Sequence, residues 1–216
     1  MNKKLLNKKA HLIVIKGGVN LMVAKKKSKP KVRAAKNSYS DITDGLKYPW
    51  NNAARLWNIL WGLIPILGWL ALMGYVQKIV QTLVKGDKSG LPEFGEFWEN
   101  TKNGFWVFVK LIPLFIVLSV ISWIPYLGKL AYWFLAIFFV PYILIRFLDT
   151  GEFRDTFNYQ IVIDDVFGDI SNYLVALLKT IVYSIVYWLL SFVLVGIPCL
   201  YFGNYYFLAE FYRNKN

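Results

Sequence analysis

Apolar positions along this chain come in long runs, separated by polar stretches at 1–47, 85–103 and 149–172. The longest run, Gly104 to Phe147, carries three charges, Lys110, Lys129 and Arg146. Wound as one helix it would be roughly 66 Å long, about twice the ~30 Å hydrocarbon core of a bilayer, so it must fold back once. Ile124-Pro125-Tyr126-Leu127-Gly128 is the place: Pro removes a backbone donor, Gly permits a turn, and Trp123 and Tyr126 suit the membrane interface.

The same reasoning applies on either side. Trp50 to Val84 is apolar apart from Arg55 and Lys78 and is interrupted at Ile64-Pro65-Ile66-Leu67-Gly68, in the same form as the break at Pro125. Tyr173 to Val195 and Pro198 to Tyr212 are separated by Gly196-Ile197-Pro198, a third Ile-Pro break. The pattern predicts an all-α polytopic transmembrane bundle of six segments, near 50–64, 66–84, 104–123, 128–147, 173–195 and 198–212, paired as three hairpins turning at Pro65, Pro125 and Pro198. In the five-crossing alternative, Trp50 to Ile59 lies on the surface and feeds one kinked span.

The polar connections predict short interfacial helices. Pro92 suits a first helical turn, Glu93, Glu96 and Glu99 recur at threes as a solvated face, and Phe94, Phe97 and Trp98 supply an apolar side. In 149–172, Ile161, Val162, Val166 and Ile170 form an apolar face expected to lie on the membrane. A weaker repeat links two runs: Asn103 precedes Lys110 by seven residues, as Asn172 precedes Lys179.

Charge sharpens the topology. Of a net +12, residues 1–47 hold +11, from 13 Lys/Arg against Asp41 and Asp44. Residues 1–38, with their Lys25-Lys26-Lys27-Ser28-Lys29-Pro30-Lys31 block, read as a disordered basic arm that orients the chain and can contact anionic lipid or RNA. Lys16-Gly17-Gly18 can be encoded as a ribosome-binding sequence ahead of Met22, so residues 1–21 are expected to be a start-site artefact. With six segments the lysines and arginines of the connections face the tail and only Lys129 faces away, which predicts a cell-membrane protein with both termini cytoplasmic.

Candidate chemistry changes little. One cysteine and one histidine, with no carboxylate pair, metal-spaced cluster or phosphate-binding loop in the apolar runs, predict a non-enzyme without cofactor or metal. The ionisable residues inside apolar segments are Lys110, Lys179, Arg146 and Glu210. All four fall within two or three turns of the cytoplasmic side, where Lys and Arg can snorkel. Lys110, Lys179 and Arg146 are the candidate anionic-lipid contacts. Asn58, Asn204, Ser119, Ser122, Ser184 and Ser191 read as interhelical hydrogen-bond partners.

Leu46-Lys47-Tyr48-Pro49, Gly74-Tyr75, the loop signature Gly90-Leu91-Pro92-Glu93-Phe94, and Asn103-Gly104 together carry a resemblance. Over roughly residues 39–212 the chain resembles the archaeal and bacterial multi-pass membrane proteins known as domain of unknown function four-zero-one-three. Phe94 stands where that family often has Trp, and Gln77-Lys78 replace its usual Arg after Gly-Tyr. The resemblance implies an integral membrane protein with no reaction and no catalytic residues to transfer. The expected function is a scaffold or assembly factor interacting with lipid, its partners the bilayer, anionic lipids and another membrane protein, with nucleic acid not expected. The alternative is a small-solute transporter or channel.

Overall fold

The computed structural model describes residues 39–152, 154 and 158–216. The basic arm at 1–38, with its proposed start site, lies outside the described residues. Regular structure among the described residues is helical: α1 (Ile42–Lys47), a 3₁₀ helix (Tyr48–Leu63), α2 (Leu67–Val84), α3 (Phe97–Ser122), α4 (Leu127–Phe138), α5 (Val140–Thr150), α6 (Tyr159–Phe167), α7 (Ile170–Leu190) with a short 3₁₀ turn after it (Ser191–Val193), α8 (Gly196–Gly203) and α9 (Tyr206–Lys215).

Two helices form the centre. α2 buries Ala71, Leu72, Tyr75, Val76, Ile79, Val80 and Leu83, the three-and-four spacing of a helix that turns one apolar face inward. α9 buries all seven residues from Tyr206 to Tyr212. Aromatic rings from α5 and α7 pack on α9, with Tyr142 edge to face and Tyr173 tilted on Phe211.

α2 and α3 meet where two glycines face each other. A Cβ on Gly74 would stand 2.0 Å from the Asn100 carbonyl oxygen, and one on Gly104 would stand 1.8 Å from that of Leu70. Small residues let helix backbones approach this closely in membranes, which accounts for Gly74 and Gly104 in the resemblance.

The outer surface is apolar. α3 exposes Phe105, Trp106, Phe108, Phe115, Ile116 and Val120, and α7 exposes Leu178, Ile181, Ile185 and Trp188. Phe97–Ser122 and Ile170–Val193 are long and apolar enough to cross a bilayer, yet only 28% and 22% of their apolar windows are buried inside the protein. The pair α4–α5, bent by 49°, makes a third crossing if it is one span. Such a surface belongs in hydrocarbon, and the described chain has the build of an integral membrane protein.

The turns at Pro65 and Pro125 have one geometry. Ile66 (φ 62°, ψ −64°) and Tyr126 (φ 56°, ψ −69°) each sit in a left-handed γ-turn, closed by Leu67 N–H to the Pro65 carbonyl and Leu127 N–H to that of Pro125, both 2.7 Å. Gly68 and Gly128 follow because a Cβ there would strike the carbonyls of Trp61 and Ile121 at 1.8 and 2.1 Å.

The third turn is displaced from its expected place. It centres on Leu194 (φ 63°), closed by Val195 N–H to the Val193 carbonyl at 2.7 Å, with Gly196 in the tight position. Pro198 is the third residue of α8 instead, where a missing N–H costs no helical bond.

Four further expectations change. No interfacial helix starts at Pro92: α3 begins at Phe97, because the carbonyls of Leu91, Pro92 and Phe94 accept from side chains and Gly95 takes φ 76°. Of the glutamate stripe only Glu99 is helical. The run 128–147 is divided at Phe139, because Pro141 cannot donate to Ile137. Val162 and Val166 of α6 are buried inside the bundle, so only part of the apolar face expected on the membrane, at the half-buried Ile161 and Ile170, is left at the surface. The last run divides at Asn204–Tyr205 into α8 and α9.

Candidate functional site

Among the described residues, four groups of polar side chains surround the candidate residues and the loop signature. The first surrounds Ser40, just beyond the basic arm. Glu210, 2% exposed, accepts the Ser40 N–H at 3.0 Å with each oxygen and the Ser40 hydroxyl at 2.8 Å. Lys88, reaching in from the 85–96 loop, pairs with the same carboxylate and donates to Ser40 Oγ at 2.6 Å. Lys179 donates to the Ser40 carbonyl at 2.7 Å and stands 5.8 Å over the Phe207 ring. The network neutralises a carboxylate that would otherwise be costly to bury.

The second is the loop signature. Leu91 is fully buried, and its carbonyl accepts Asn52 Nδ2 at 3.1 Å and the Arg55 guanidinium. Tyr75 donates to the Pro92 carbonyl at 2.7 Å, Asn100 to that of Phe94 at 2.7 Å, and Arg55 meets Glu93 at 3.5 Å. The Phe94 ring lies between Trp61 and Tyr75, 5.8 and 5.1 Å centre to centre. In the same loop, Ser89 N–H donates to Asp87 at 2.9 Å and holds its carboxyl below the usual range. Leu91, Pro92, Glu93 and Phe94 thus fasten the loop to the 3₁₀ helix and α2. Gly90, at φ 141°, lets the chain pass Asn52 where a Cβ would come within 2.5 Å of Nδ2.

The third joins α5 to α6. Asp165 accepts the Tyr142 hydroxyl at 2.6 Å and lies 3.8 Å from Arg146. The fourth is Lys110, which donates to the Gly151 carbonyl at 2.5 Å across a cavity of about 220 Å³ bordered by Gln77, Asn103, Trp106 and Phe147.

The three candidate basic residues are therefore placed with different groups: Lys110 with Gly151, Lys179 with Ser40, Arg146 with Asp165. The matched lysines do share one feature, since each reaches a loop carbonyl from a helix that ends in a γ-turn. Sequence reasoning missed Ser40 and Lys88 as partners of Glu210, because 170 and 122 residues separate them from it. Ser184 and Asn204 do join across α7 and α8, at 2.9 Å. A second cavity, about 660 Å³ and apolar, runs between the 3₁₀ helix and the third turn, bordered by Trp57, Leu60, Leu63, Leu194, Ile197 and Pro198.

Residues 58–131, from within the 3₁₀ helix through the Gly74–Gly104 crossing and the loop signature into α4, match the family described as Protein of unknown function (DUF4013). Over that stretch the chain resembles this family. The DUF4013 match holds the Gly74-Tyr75, Leu91–Phe94 and Asn103-Gly104 elements, and stops short of Leu46–Pro49 and of the third turn. No curated protein and no solved structure matches the chain.

Proposed function

We propose that this chain is a non-enzymatic membrane scaffold or assembly factor that interacts with lipid. The carrying observation is that charges brought inside the bundle are matched by protein groups: Glu210 by Lys88 and Ser40, Asp165 by Arg146 and Tyr142, Lys179 by the Ser40 carbonyl. A transport path needs ionisable groups whose partners can leave, whereas interlocked pairs suit a static frame. The small-solute transporter or channel is the second reading because polar cavities open beside Lys110 and beside Asn204.

In this reading the protein lies in the cell membrane with both termini cytoplasmic. The six apolar segments form three hairpins, whose tips at Ile66, Tyr126 and Leu194 lie opposite the connections at 85–103 and 149–172. The first is re-entrant. From the Gly74–Gly104 crossing, α2 has seven residues, about 10 Å, before its tip, and α3 has eighteen, about 27 Å. Trp61, close to the first tip, stacks on Phe94 of the polar loop, which supports a shallow position. The bilayer, anionic lipid at Lys110 and a second membrane protein are the proposed partners, and nucleic acid is not; Lys179 and Arg146 are engaged instead by Ser40 and Asp165.

Flux assays with the purified protein in liposomes, across a panel of ions and metabolites, test the choice. No substrate-dependent flux is expected. Flux that disappears in Lys110→Ala would replace the scaffold with a transporter.

A further inference from the structure

We propose that the cavity between α2, α3 and the end of α5 is a binding site for the phosphate group of an anionic phospholipid, held by Lys110, Gln77 and Asn103. This rests on reading the chain as a lipid-interacting membrane protein. It narrows that reading to one site.

Three nitrogen donors converge on the cavity. Lys110 spends one of its three N–H groups on the Gly151 carbonyl, at 2.5 Å, leaving two. Gln77 and Asn103 border the same space, and neither carboxamide is hydrogen-bonded among the described residues. Each brings two N–H groups to the site. The single formal charge on these three is positive, and a lysine ammonium is a common point-charge binder of phosphate. Glu152, beside Gly151, is exposed to solvent rather than part of the lining.

Position selects a lipid over a free anion. Lys110 lies six residues beyond Gly104, about 9 Å along α3. Trp106 borders the cavity at 52% exposed, and Phe105, Phe108 and Ile112 continue along the bare surface of α3. A phosphate on Lys110 would have its acyl chains on that apolar surface, with Trp106 at the headgroup depth that indole favours. Basic pockets between helices near the cytoplasmic face hold acidic headgroups in the same way.

The matched lysine is the internal control. Lys179 borders only about 10 Å³ of space, shared with Glu210, whose carboxylate would repel a phosphate. One of the two sequence-equivalent lysines thus borders a donor-lined cavity of about 220 Å³ and the other does not.

Native mass spectrometry of the purified full chain, with phosphatidylglycerol and phosphatidylcholine supplied at equal concentration, tests the site. Wild type should retain phosphatidylglycerol at least tenfold in preference, Lys110→Leu and Gln77→Leu should lose that preference, and Lys179→Leu should keep it. Asn103→Ala, at an exposed position, should weaken it without lowering the melting temperature, which keeps the test valid if a Leu variant misfolds. A preference that survives in Lys110→Leu overturns the site and leaves lipid interaction standing. Equal retention of the two lipids by wild type overturns selective binding of anionic lipid altogether. Displacement of phosphatidylglycerol by millimolar inorganic phosphate overturns the lipid assignment in favour of a free anion.

Discussion

The turns at Ile64–Gly68 and Ile124–Gly128 share four of five residues and one backbone geometry, yet their arms live in different surroundings. The arms at Tyr126 are α3 and α4, whose Phe115, Ile116, Val120, Leu130 and Trp133 lie bare on the outside. At Ile66 the arms are the 3₁₀ helix and α2. The loop signature clasps both, through Leu91 to Asn52 and Arg55 and through Pro92 to Tyr75. α2 itself is central to the core. A local motif determines how the chain reverses, but the elements packed on its arms determine where the reversal stands.

Labelling separates the two hairpins most directly, because its outcome is all or none. With Cys199 replaced, an impermeant thiol reagent should modify Lys129→Cys in intact cells and leave Ile66→Cys and Lys88→Cys untouched. In opened cells Lys88→Cys should react, while Ile66→Cys stays protected. Labelling of Ile66→Cys in intact cells would make the first hairpin a full double crossing, and labelling of Lys88→Cys there would support the five-segment alternative.

The glycine crossing comes next, since it joins one arm of each turn. Gly104→Leu or Gly74→Leu must push the helices apart against backbone atoms, and a loss of about 3 kcal/mol or more is expected in detergent unfolding followed by circular dichroism. An unchanged melt would mean that the arms do not meet there. Glu210→Ala, which leaves Lys88 and Ser40 without their shared acceptor, should cost about 3 kcal/mol in the same measurement.

Tyr75→Phe should act on the first hairpin alone. It leaves the Pro92 carbonyl without its donor, costing about 1 kcal/mol, and hydrogen exchange should quicken in 48–63 and 91–94 but not in 104–138. At the tips the effect has the opposite sign. Ile66→Gly relieves a β-branched residue of a positive φ and should stabilise by about 1 kcal/mol, more than Tyr126→Gly, whose side chain is not β-branched. Equal or opposite changes would mean that the strain lies elsewhere.

Membrane character, the all-helical class and the first two turns were legible in the sequence because they are local. Run length against bilayer thickness, and a proline followed by a glycine, need no knowledge of distant residues. The third turn was misplaced by a few residues because Val193-Leu194-Val195-Gly196 makes a turn with the same positive φ and closing hydrogen bond without proline, and Pro198 was free to start a helix. The bend at Phe139 had its signal in Pro141, at an ordinary first-turn position.

By itself the sequence determined that a basic segment precedes a run of apolar helices, and that Lys110 and Lys179 each stand seven residues after an asparagine. Tertiary structure alone decided what those lysines meet. Ser40, Lys88 and Glu210 come together across 170 and 122 residues, and that closes the space around Lys179. Gln77, Asn103 and Gly151 come together around Lys110 and leave a cavity of about 220 Å³. The physical reason is that a residue's spacing along its own helix sets its height and direction, while its partners arrive on other segments whose approach depends on the whole packing, here on two glycines that let α2 and α3 touch.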